Sequence, residues 1–190
     1  MGILKKALYQ AHDLVRQVVK PGDAVIDATM GNGNDTLFLA GLVGDDGRVF
    51  AFDIQQKALD KTQEKLEREG LKDRCRLILD GHQNMKVYVK EPVSLVIFNL
   101  GYLPGGDHTV GTRSATTLKA VEGALELIKD DGLVILVIYY GGDSGFEERD
   151  EVLDWLRNLD CRAYSVLQSH FINQINCPPI LIVIEKNGRD

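Results

Sequence analysis

Apolar positions along the chain fall into short continuous runs that alternate with segments of helical periodicity. The apolar runs predict strands at AVIDAT (24–29), RVFAFDI (48–54), RLILD (76–80), VSLVIFNL (93–100) and GLVILVIYY (132–140). Amphipathic periodicity predicts helices over 3–19, 35–43, 56–70, 116–129 and 147–159. Two more strand patterns, 164–171 and 178–186, follow each other without a helical segment between them.

This order of elements predicts an α/β fold. Strands that are apolar throughout and alternate with helices are typical of a parallel sheet covered on both faces. Because only INQINC (172–177) joins the last two strands, they should pair antiparallel. A mostly parallel seven-stranded sheet with a C-terminal antiparallel hairpin is the Rossmann-like layout of class I S-adenosylmethionine-dependent methyltransferases. Without a repeat or linker, residues 1–190 should form one domain.

Composition narrows the class of protein. The chain is 44% hydrophobic and 26% charged, which is typical of a globular domain, and no apolar run approaches the roughly 18 residues of a membrane helix. With no signal-peptide core at the N-terminus, we expect a cytoplasmic protein. Cys75, Cys161 and Cys177 are scattered and the histidines show no ligand spacing, so we expect no metal site and treat the cysteines as small buried hydrophobes.

Two strand ends carry residues suited to an adenosine-type ligand, which in open α/β sheets binds at the carboxyl ends of the strands. In DATMGNGND (27–35), Gly31 and Gly33 permit a tight turn beneath a ligand. Asp53 follows some 20 residues later, a spacing that suits a carboxylate bound to ribose hydroxyls. Taken alone, the glycines also fit an ordinary turn, and Asp53 also fits a helix N-cap. Thr36 stands where a dinucleotide fingerprint has its third glycine, yet these features do not separate NAD from S-adenosylmethionine.

The third strand ends in DGHQN (80–84). Asp80 could hold the adenine amino group or nearby backbone, or could belong to a plain Asp-Gly turn. His82 is a candidate base, although a surface or supporting role is the commoner one for such a histidine.

The fourth strand ends in NLGYLPGGD (99–107), which resembles the (D/N)PPY motif of enzymes that methylate amino groups on nucleic-acid bases. An amine loses hydrogen as it attacks a methyl group, and the side-chain carbonyl of Asn99 could accept it. Tyr102 could stack on a base near the methyl sulfonium, while Gly105 and Gly106 let the loop fold over the substrate. Leu100 and Gly101 replace the two prolines. The alternative is a loop that packs Tyr102 against its own sheet.

Residues after this motif are candidates for contact with the acceptor. Asp107 and His108 are titratable and near Asn99 in sequence, and Arg113 lies in a Ser/Thr-rich segment before a helix, where it could hold a phosphate or simply belong to a cap. The net charge of −6 shows no basic excess, so contact with RNA would need a local cluster. Candidates for that cluster are Lys5, Lys6, Arg16 and Lys20 along the first helix, with Lys86, Lys90 and Arg113 elsewhere. The leading ones are Arg113 and the lysines of the first helix.

Taken together, DATMGNGNDTLFLA, FAFDIQ, DGHQN, IFNLGYLPGGD, TTLKA and FINQ…PP resemble the bacterial rRNA methylase family of the YtqB/MnmM type over almost the whole chain. The resemblance implies S-adenosylmethionine as cofactor and methylation of the aminomethyl group of the tRNA wobble uridine, which gives 5-methylaminomethyl-2-thiouridine. It also implies contact with the anticodon arm and a possible homodimer.

The expected site residues follow from the strand ends and the resemblance. Expected to bind cofactor are Asp27, Met30, Gly31, Asn32, Gly33, Asn34, Asp35, Thr36, Asp53, Gln55, Asp80, His82 and Asn99. Expected to be catalytic are Asn99, Tyr102 and Asp107, and expected to bind substrate are Tyr102, Gly105, Gly106, His108 and Arg113.

Several alternatives remain at this point. An rRNA base or a small molecule could be the methyl acceptor, although the chain has no inserted lid to enclose a small substrate. A dinucleotide-dependent oxidoreductase is disfavoured by the missing third glycine and the closing hairpin. A catalytically inactive RNA-binding module is the remaining possibility. A cysteine-nucleophile mechanism is disfavoured because no cysteine ends the fourth strand.

Overall fold

A computed structural model of the chain describes residues 3–101, 112–141 and 145–188. Its strands are β1 (Ala24–Asp27), β2 (Arg48–Asp53), β3 (Cys75–Leu79), β4 (Val93–Leu100), β5 (Ile128–Ile138), β6 (Tyr164–Ser169) and β7 (Ile180–Lys186). Its helices are α1 (Ala7–Val18), α2 (Asn34–Val43), α3 (Gln56–Arg68), α4 (Met85–Tyr88), α5 (Ser114–Leu127) and α6 (Gly145–Arg157).

The seven strands form one sheet in the order β3-β2-β1-β4-β5-β7-β6. Neighbours from β3 to β5 run parallel, whereas β7 pairs antiparallel with both β5 and β6. The predicted class I methyltransferase layout, including the C-terminal antiparallel hairpin, is therefore confirmed. The chain order reverses between β1 and β4, so the carboxyl ends of these strands border the crevice where such sheets bind ligands.

Helices cover both faces of the sheet, which explains why the central strands are apolar along most of their length. Successive strand side chains point to opposite faces. Ile97 packs in the cluster beneath α1, α2 and α3, and its neighbour Phe98 packs in the cluster beneath α4, α5 and α6. The exposed fraction of each of these two residues is 1% or less. Every residue of β4 except Asn99 is buried, so the part of the Asn99 side chain that is turned away from solvent needs a polar partner.

The structure departs from the sequence prediction around Asp131-Gly132. The sequence places a turn there between a helix that ends at 129 and a strand that begins at 132, but β5 already begins at Ile128. Asp131 has a φ of 61°, and the register with β4 shifts between Val93 and Leu95. The Asp-Gly pair therefore forms an irregularity inside the strand, because a left-handed residue is accommodated in a bulge.

Three further differences are local. Residues 82–88 form a 3₁₀ turn followed by α4, which the sequence pattern does not predict. The first helix begins at Ala7 rather than at residue 3. The expectation of buried cysteines is wrong for Cys161, which is exposed, whereas Cys75 and Cys177 are half-buried. Within the described residues, no helix has the length and apolar character needed to cross a membrane.

Candidate active site

A pocket of about 800 Å³ opens where β1, β2, β3 and β4 end at their carboxyl sides. The predicted site residues that line it are Met30, Gly31, Asn32, Asn34, Asp35, Asp53, Gln55, Asp80, His82, Asn99 and Arg113. Asp27, Gly33 and Thr36 are buried and are not among the lining residues. Tyr102, Gly105, Gly106, Asp107 and His108 lie outside the described residues.

The turn between β1 and α2 owes its shape to two glycines in the left-handed region. Gly31 has a φ of 53° and Gly33 a φ of 75°. A Cβ atom placed on Gly33 would lie 2.5 Å from the hydroxyl oxygen of Thr62, a buried residue of α3. Glycine is thus required at position 33 for space as well as for backbone conformation. The turn sits between α3 and the pocket, and Gly33 supports it from the α3 side.

Asp53 ties the end of β2 to this turn. One carboxylate oxygen accepts a hydrogen bond from the Gly31 amide, and the other accepts one from the Gln55 amide, each at 2.9 Å. The N-cap of α3 is Gln55, and no side chain caps it, so Asp53 does not act as the helix cap that the sequence also allowed. Each carboxylate oxygen can accept a second hydrogen bond. Asp53 therefore retains acceptor capacity on the wall of the pocket.

Asp27 lies beneath the turn. Its carboxylate is fully buried and accepts hydrogen bonds from the Thr36 hydroxyl at 2.6 Å and the Thr29 amide at 3.2 Å. Burial, reinforced by the charge of nearby Asp35, raises the pKa of Asp27 to about 7. Asp27 holds the turn and the start of α2 together from below, and this placement explains why it does not reach the pocket.

Asp80 and His82 form the wall at the end of β3. Asp80 accepts hydrogen bonds from the Tyr88 hydroxyl at 2.8 Å and the Asn84 amide at 3.0 Å, and these bonds hold its pKa below the usual value. His82 is 9% exposed, and its Nδ1 lies 3.2 Å from the carbonyl oxygen of Ala28. Because a carbonyl only accepts, Nδ1 is the donor nitrogen of the neutral ring. Burial lowers the pKa of His82, so the neutral form predominates at neutral pH.

Two hydrogen bonds hold Asn99 at the end of β4. Its backbone amide donates to the Thr29 hydroxyl at 2.7 Å, and its side-chain amide donates to Asp35 Oδ2 at 2.6 Å. The other oxygen of Asp35 lies 2.7 Å from Nε2 of His12, which belongs to α1. Asp35 is only 8% exposed, so these two donors satisfy a nearly buried carboxylate.

Two hydrogen bonds join Gly101, directly after β4, to Thr112, shortly before α5. The Gly101 amide donates to the Thr112 hydroxyl at 3.0 Å, and the Thr112 amide donates to the Gly101 carbonyl at 3.1 Å. The buried carboxylate of Glu148 accepts from the hydroxyls of Thr112 and Thr117, each at 2.7 Å. Gly101 has a φ of 136°, which proline cannot adopt, and it uses an amide that proline lacks. Proline could therefore not replace Gly101, which stands at the second proline of the (D/N)PPY motif.

Charge around the pocket is distributed differently from the sequence expectation. Lys5 and Arg16 of the proposed basic cluster both contact Asp13, which lowers their value as free cations. Arg113 is exposed at the rim of the pocket, directly before α5, and has no ion pair with any described residue. Arg113 is accordingly the predicted cation that the structure brings to the site.

Sequence reasoning missed several lining residues. Leu8 reaches the pocket from α1, and Ile54, with 61% of its surface exposed, follows Asp53 on its wall. Tyr139 stands at the end of β5, where burial and the charge of Asp35 raise its pKa, so its hydroxyl stays protonated. The position of Ile54 directly after Asp53, at the end of a predicted strand, was the one indication available in the sequence. Nothing in the pattern singles out Leu8 or Tyr139.

Comparison with known proteins identifies close relatives of this chain. A family model described as "Putative rRNA methylase" matches residues 49–185. The "tRNA (mnm(5)s(2)U34)-methyltransferase, chloroplastic" of Arabidopsis thaliana is 37% identical over 97% of this chain and 71% of its own length.

Two solved structures are also similar over nearly their full lengths. A protein described as a "putative rRNA-methylase" from Clostridium thermocellum is 55% identical, with a TM-score of 0.96 over 97% of this chain and all of that chain. A "putative methyltransferase" from Streptococcus mutans, solved in complex with SAH, is 45% identical, with a TM-score of 0.90 over 97% of this chain and 99% of that chain.

Proposed function

Because the chain belongs to the family described as "Putative rRNA methylase", we propose that it is an RNA methyltransferase that uses S-adenosylmethionine. Its acceptor is the aminomethyl group of the tRNA wobble uridine, converted to 5-methylaminomethyl-2-thiouridine. The observation that carries this proposal is the orientation of Asn99 at the pocket end of β4: its side-chain NH₂ donates to Asp35, and among the described residues none donates a hydrogen bond to its side-chain carbonyl.

The pocket fits an adenosine-containing cofactor. Its volume of about 800 Å³ lies within the range of small-molecule sites. Asp53 offers acceptor positions for ribose hydroxyls, and Ile54 offers an exposed apolar side chain for the adenine ring. The Gly31 turn lets the backbone approach the ligand without a side chain in the way. We therefore assign cofactor binding to this turn and to the ends of β2 and β3.

The chemistry requires an acceptor with a lone pair and a partner for its hydrogens. When bound, S-adenosylmethionine supplies an electrophilic methyl group: the amine lone pair forms the new N–C bond, sulfur keeps the electron pair of the broken S–C bond, and one amine proton leaves. The carbonyl of Asn99 accepts a hydrogen bond from the amine and aims its lone pair, an orientation effect that lowers the barrier. The aromatic ring of Tyr139 lines the same pocket and offers a face to a base or a cation.

Proton removal sets the pH dependence. An aliphatic amine is largely protonated at neutral pH, as the reference pKa of about 10.4 for lysine illustrates. The neutral amine must be bound or formed, so we expect the rate to rise with pH across the neutral range. His82 is a poor proton acceptor because burial disfavours its charged form. Asp107 and His108 remain the sequence-based candidates, and they lie outside the described residues.

The choice of tRNA rests on the relative from Arabidopsis thaliana, whose name specifies uridine 34 of tRNA. The side-chain carbonyl of Asn99 is oriented to accept a hydrogen bond from an amine, which agrees with an aminomethyl substituent as the acceptor. Arg113, exposed at the rim, is the leading contact for a phosphate of the anticodon arm. An rRNA acceptor is the competing assignment, because the family description names rRNA.

Nucleoside analysis of a strain that lacks this protein tests the proposal. We expect 5-aminomethyl-2-thiouridine to accumulate in its tRNA and the methylated nucleoside to disappear, with restoration by the wild-type gene and not by an Asn99→Ala variant. Normal tRNA together with a missing methyl group in rRNA would contradict the tRNA assignment.

A further inference from the structure

We propose that His12 and Asp35 act as positioning residues for Asn99, so that a hydrogen-bonded chain from α1 to β4 keeps the Asn99 carbonyl turned toward the acceptor amine. The catalytic consequence rests on the proposed function. The positioning itself is a property of the folded chain and can be measured without substrate.

The contact with Asp35 fixes which way the side-chain amide of Asn99 is turned. A carboxylate accepts hydrogen bonds and does not donate them, so the group of Asn99 that faces Asp35 Oδ2 at 2.6 Å must be its NH₂. The side-chain oxygen is then fixed on the opposite side of the same planar group. Without Asp35, the two ends of the amide would compete, and rotation by half a turn would present donors to a substrate that itself donates.

The backbone of Asn99 has little freedom to move. In the register between β4 and β5, Asn99 pairs with Val137. Its backbone amide is anchored to the Thr29 hydroxyl at 2.7 Å. The side-chain torsions are the remaining freedom, and the bond to Asp35 restricts them.

His12 provides the second hydrogen-bond partner of Asp35. Asp35 is a nearly buried acid whose charge raises the pKa of both Asp27 and Tyr139, so neither of these neighbours compensates it. His12 donates from Nε2 to the second oxygen of Asp35 at 2.7 Å. The imidazole ring is itself held against Phe38, with ring centroids 4.4 Å apart. His12 therefore holds Asp35 in place, and Asp35 orients Asn99.

Two substitutions separate the hydrogen bond from the packing. His12→Phe keeps an aromatic ring against Phe38 but removes the donor, and His12→Gln restores an amide N–H near the position of Nε2. We expect kcat for methyl transfer to fall roughly 10-fold or more in His12→Phe and to recover in His12→Gln, with cofactor affinity within a few-fold of wild type in both. The matched control is His170→Phe, at an exposed histidine after β6, which should leave kcat unchanged.

A double-mutant cycle tests whether His12 affects kcat through Asn99. Asn99→Ala alone should lower turnover roughly 100-fold, the size of effect seen when an oriented polar group is lost. If His12 acts only through Asn99, adding His12→Phe to Asn99→Ala should change kcat less than about two-fold. Additive losses would mean that His12 contributes separately, which would overturn the proposal.

The deciding measurement needs no substrate. In a ¹⁵N-labelled protein, the side-chain NH₂ of Asn99, assigned by its loss in Asn99→Ala, should give separate resonances with one proton shifted downfield and slowly exchanging. The resonances should move toward free-amide values in His12→Phe and return in His12→Gln. An unchanged signal in His12→Phe would refute the positioning role even if the wild-type protein proved inactive on tRNA, an outcome that would refute only the proposed function.

Discussion

The carboxylate of Asp53 accepts a hydrogen bond from the backbone amide of Gly31 across 22 residues of sequence, at 2.9 Å. This contact joins the end of β2 to the turn after β1 at the place proposed for the ribose. Replacing Asp53 with alanine removes a charged acceptor for the ligand and loosens the turn. We expect S-adenosylmethionine affinity to fall by roughly 10- to 150-fold, which corresponds to about 1.5–3 kcal/mol.

Calorimetric titration of Asp53→Ala with S-adenosylmethionine measures this effect. Asp60→Ala is the matched control, because Asp60 is an exposed acid on α3 whose side chain contacts Gln56 of the same helix. Equal affinities for Asp53→Ala and wild type would show that the ribose is held elsewhere.

Gly33 supports the same turn through a close contact with α3. Alanine at Gly33 would meet a left-handed backbone and a Cβ atom only 2.5 Å from Thr62 Oγ1. Alanine at Gly22 meets a similar φ of 88°, but no described atom lies within 4 Å of its Cβ. The conformational cost of roughly 1–2 kcal/mol is common to both variants.

Thermal unfolding and cofactor titration of Gly33→Ala and Gly22→Ala separate the effect of the Thr62 contact from the effect of the left-handed backbone. Gly33→Ala should be less stable than Gly22→Ala and should bind S-adenosylmethionine more weakly, because the turn must move away from α3. Indistinguishable variants would mean that Thr62 gives way and that the contact does not shape the site.

Asp27 makes stability depend on pH. Its pKa in the folded protein is about 7, against an ordinary value of 3.8. Between about pH 4 and pH 7, Asp27 therefore keeps its proton in the folded chain and loses it in the unfolded chain. The stabilisation from this group is complete below about pH 4 and is lost as the pH rises toward 7. A difference of about three between the two pKa values sets an upper limit of about 4 kcal/mol.

Asp27→Asn removes this titration while keeping the size of the side chain. The free energy of unfolding of the variant relative to wild type should increase between pH 4.5 and pH 8, as measured by urea denaturation. An altered hydrogen bond to Thr36 would shift all values equally. A stability difference that is the same at both pH values would therefore contradict a protonated Asp27.

Arg113 is expected to contact an RNA phosphate. Each such contact releases counterions, so its loss should weaken binding and reduce the slope of log K against log salt by about one. Lys119 is the matched control, because it is also exposed and lies on α5, the helix that Arg113 precedes, but does not line the pocket. Titrating tRNA into Arg113→Ala and Lys119→Ala at several salt concentrations should change the slope only for Arg113. An unchanged slope in Arg113→Ala would remove it from the RNA contact surface.

Much of the fold could be predicted from the sequence because buried strands and amphipathic helices leave periodic patterns. The strand at Val93–Leu100 has the predicted bounds, and the closing hairpin follows from the short connection before β7. The irregularity at Asp131 could not be foreseen, because an Asp-Gly pair is typical of a turn and only pairing with β4 makes it part of a strand.

The candidate site was predictable only where function depends on a local motif. Gly31, Asp53 and Asn99 stand at strand ends and line one pocket, as the topology requires. The residues that orient Asn99 are distant from one another in sequence: Asp35 lies 23 residues from His12 and 64 from Asn99. A pattern of hydrophobic and polar positions carries no information about such pairs. For this reason α1 was interpreted only as a carrier of cations, although it supplies Leu8 and His12.

The central claim is methyl transfer to the aminomethyl group of the tRNA wobble uridine, and one assay tests it most directly. Purified protein and S-adenosylmethionine with a labelled methyl group are offered three acceptors: tRNA with the aminomethyl group at the wobble uridine, the same tRNA unmodified there, and ribosomal RNA. We predict that label enters only the first and is recovered as 5-methylaminomethyl-2-thiouridine, with a rate that rises from pH 6 to pH 8. Equal labelling of both tRNAs, or label found only in ribosomal RNA, would contradict the account.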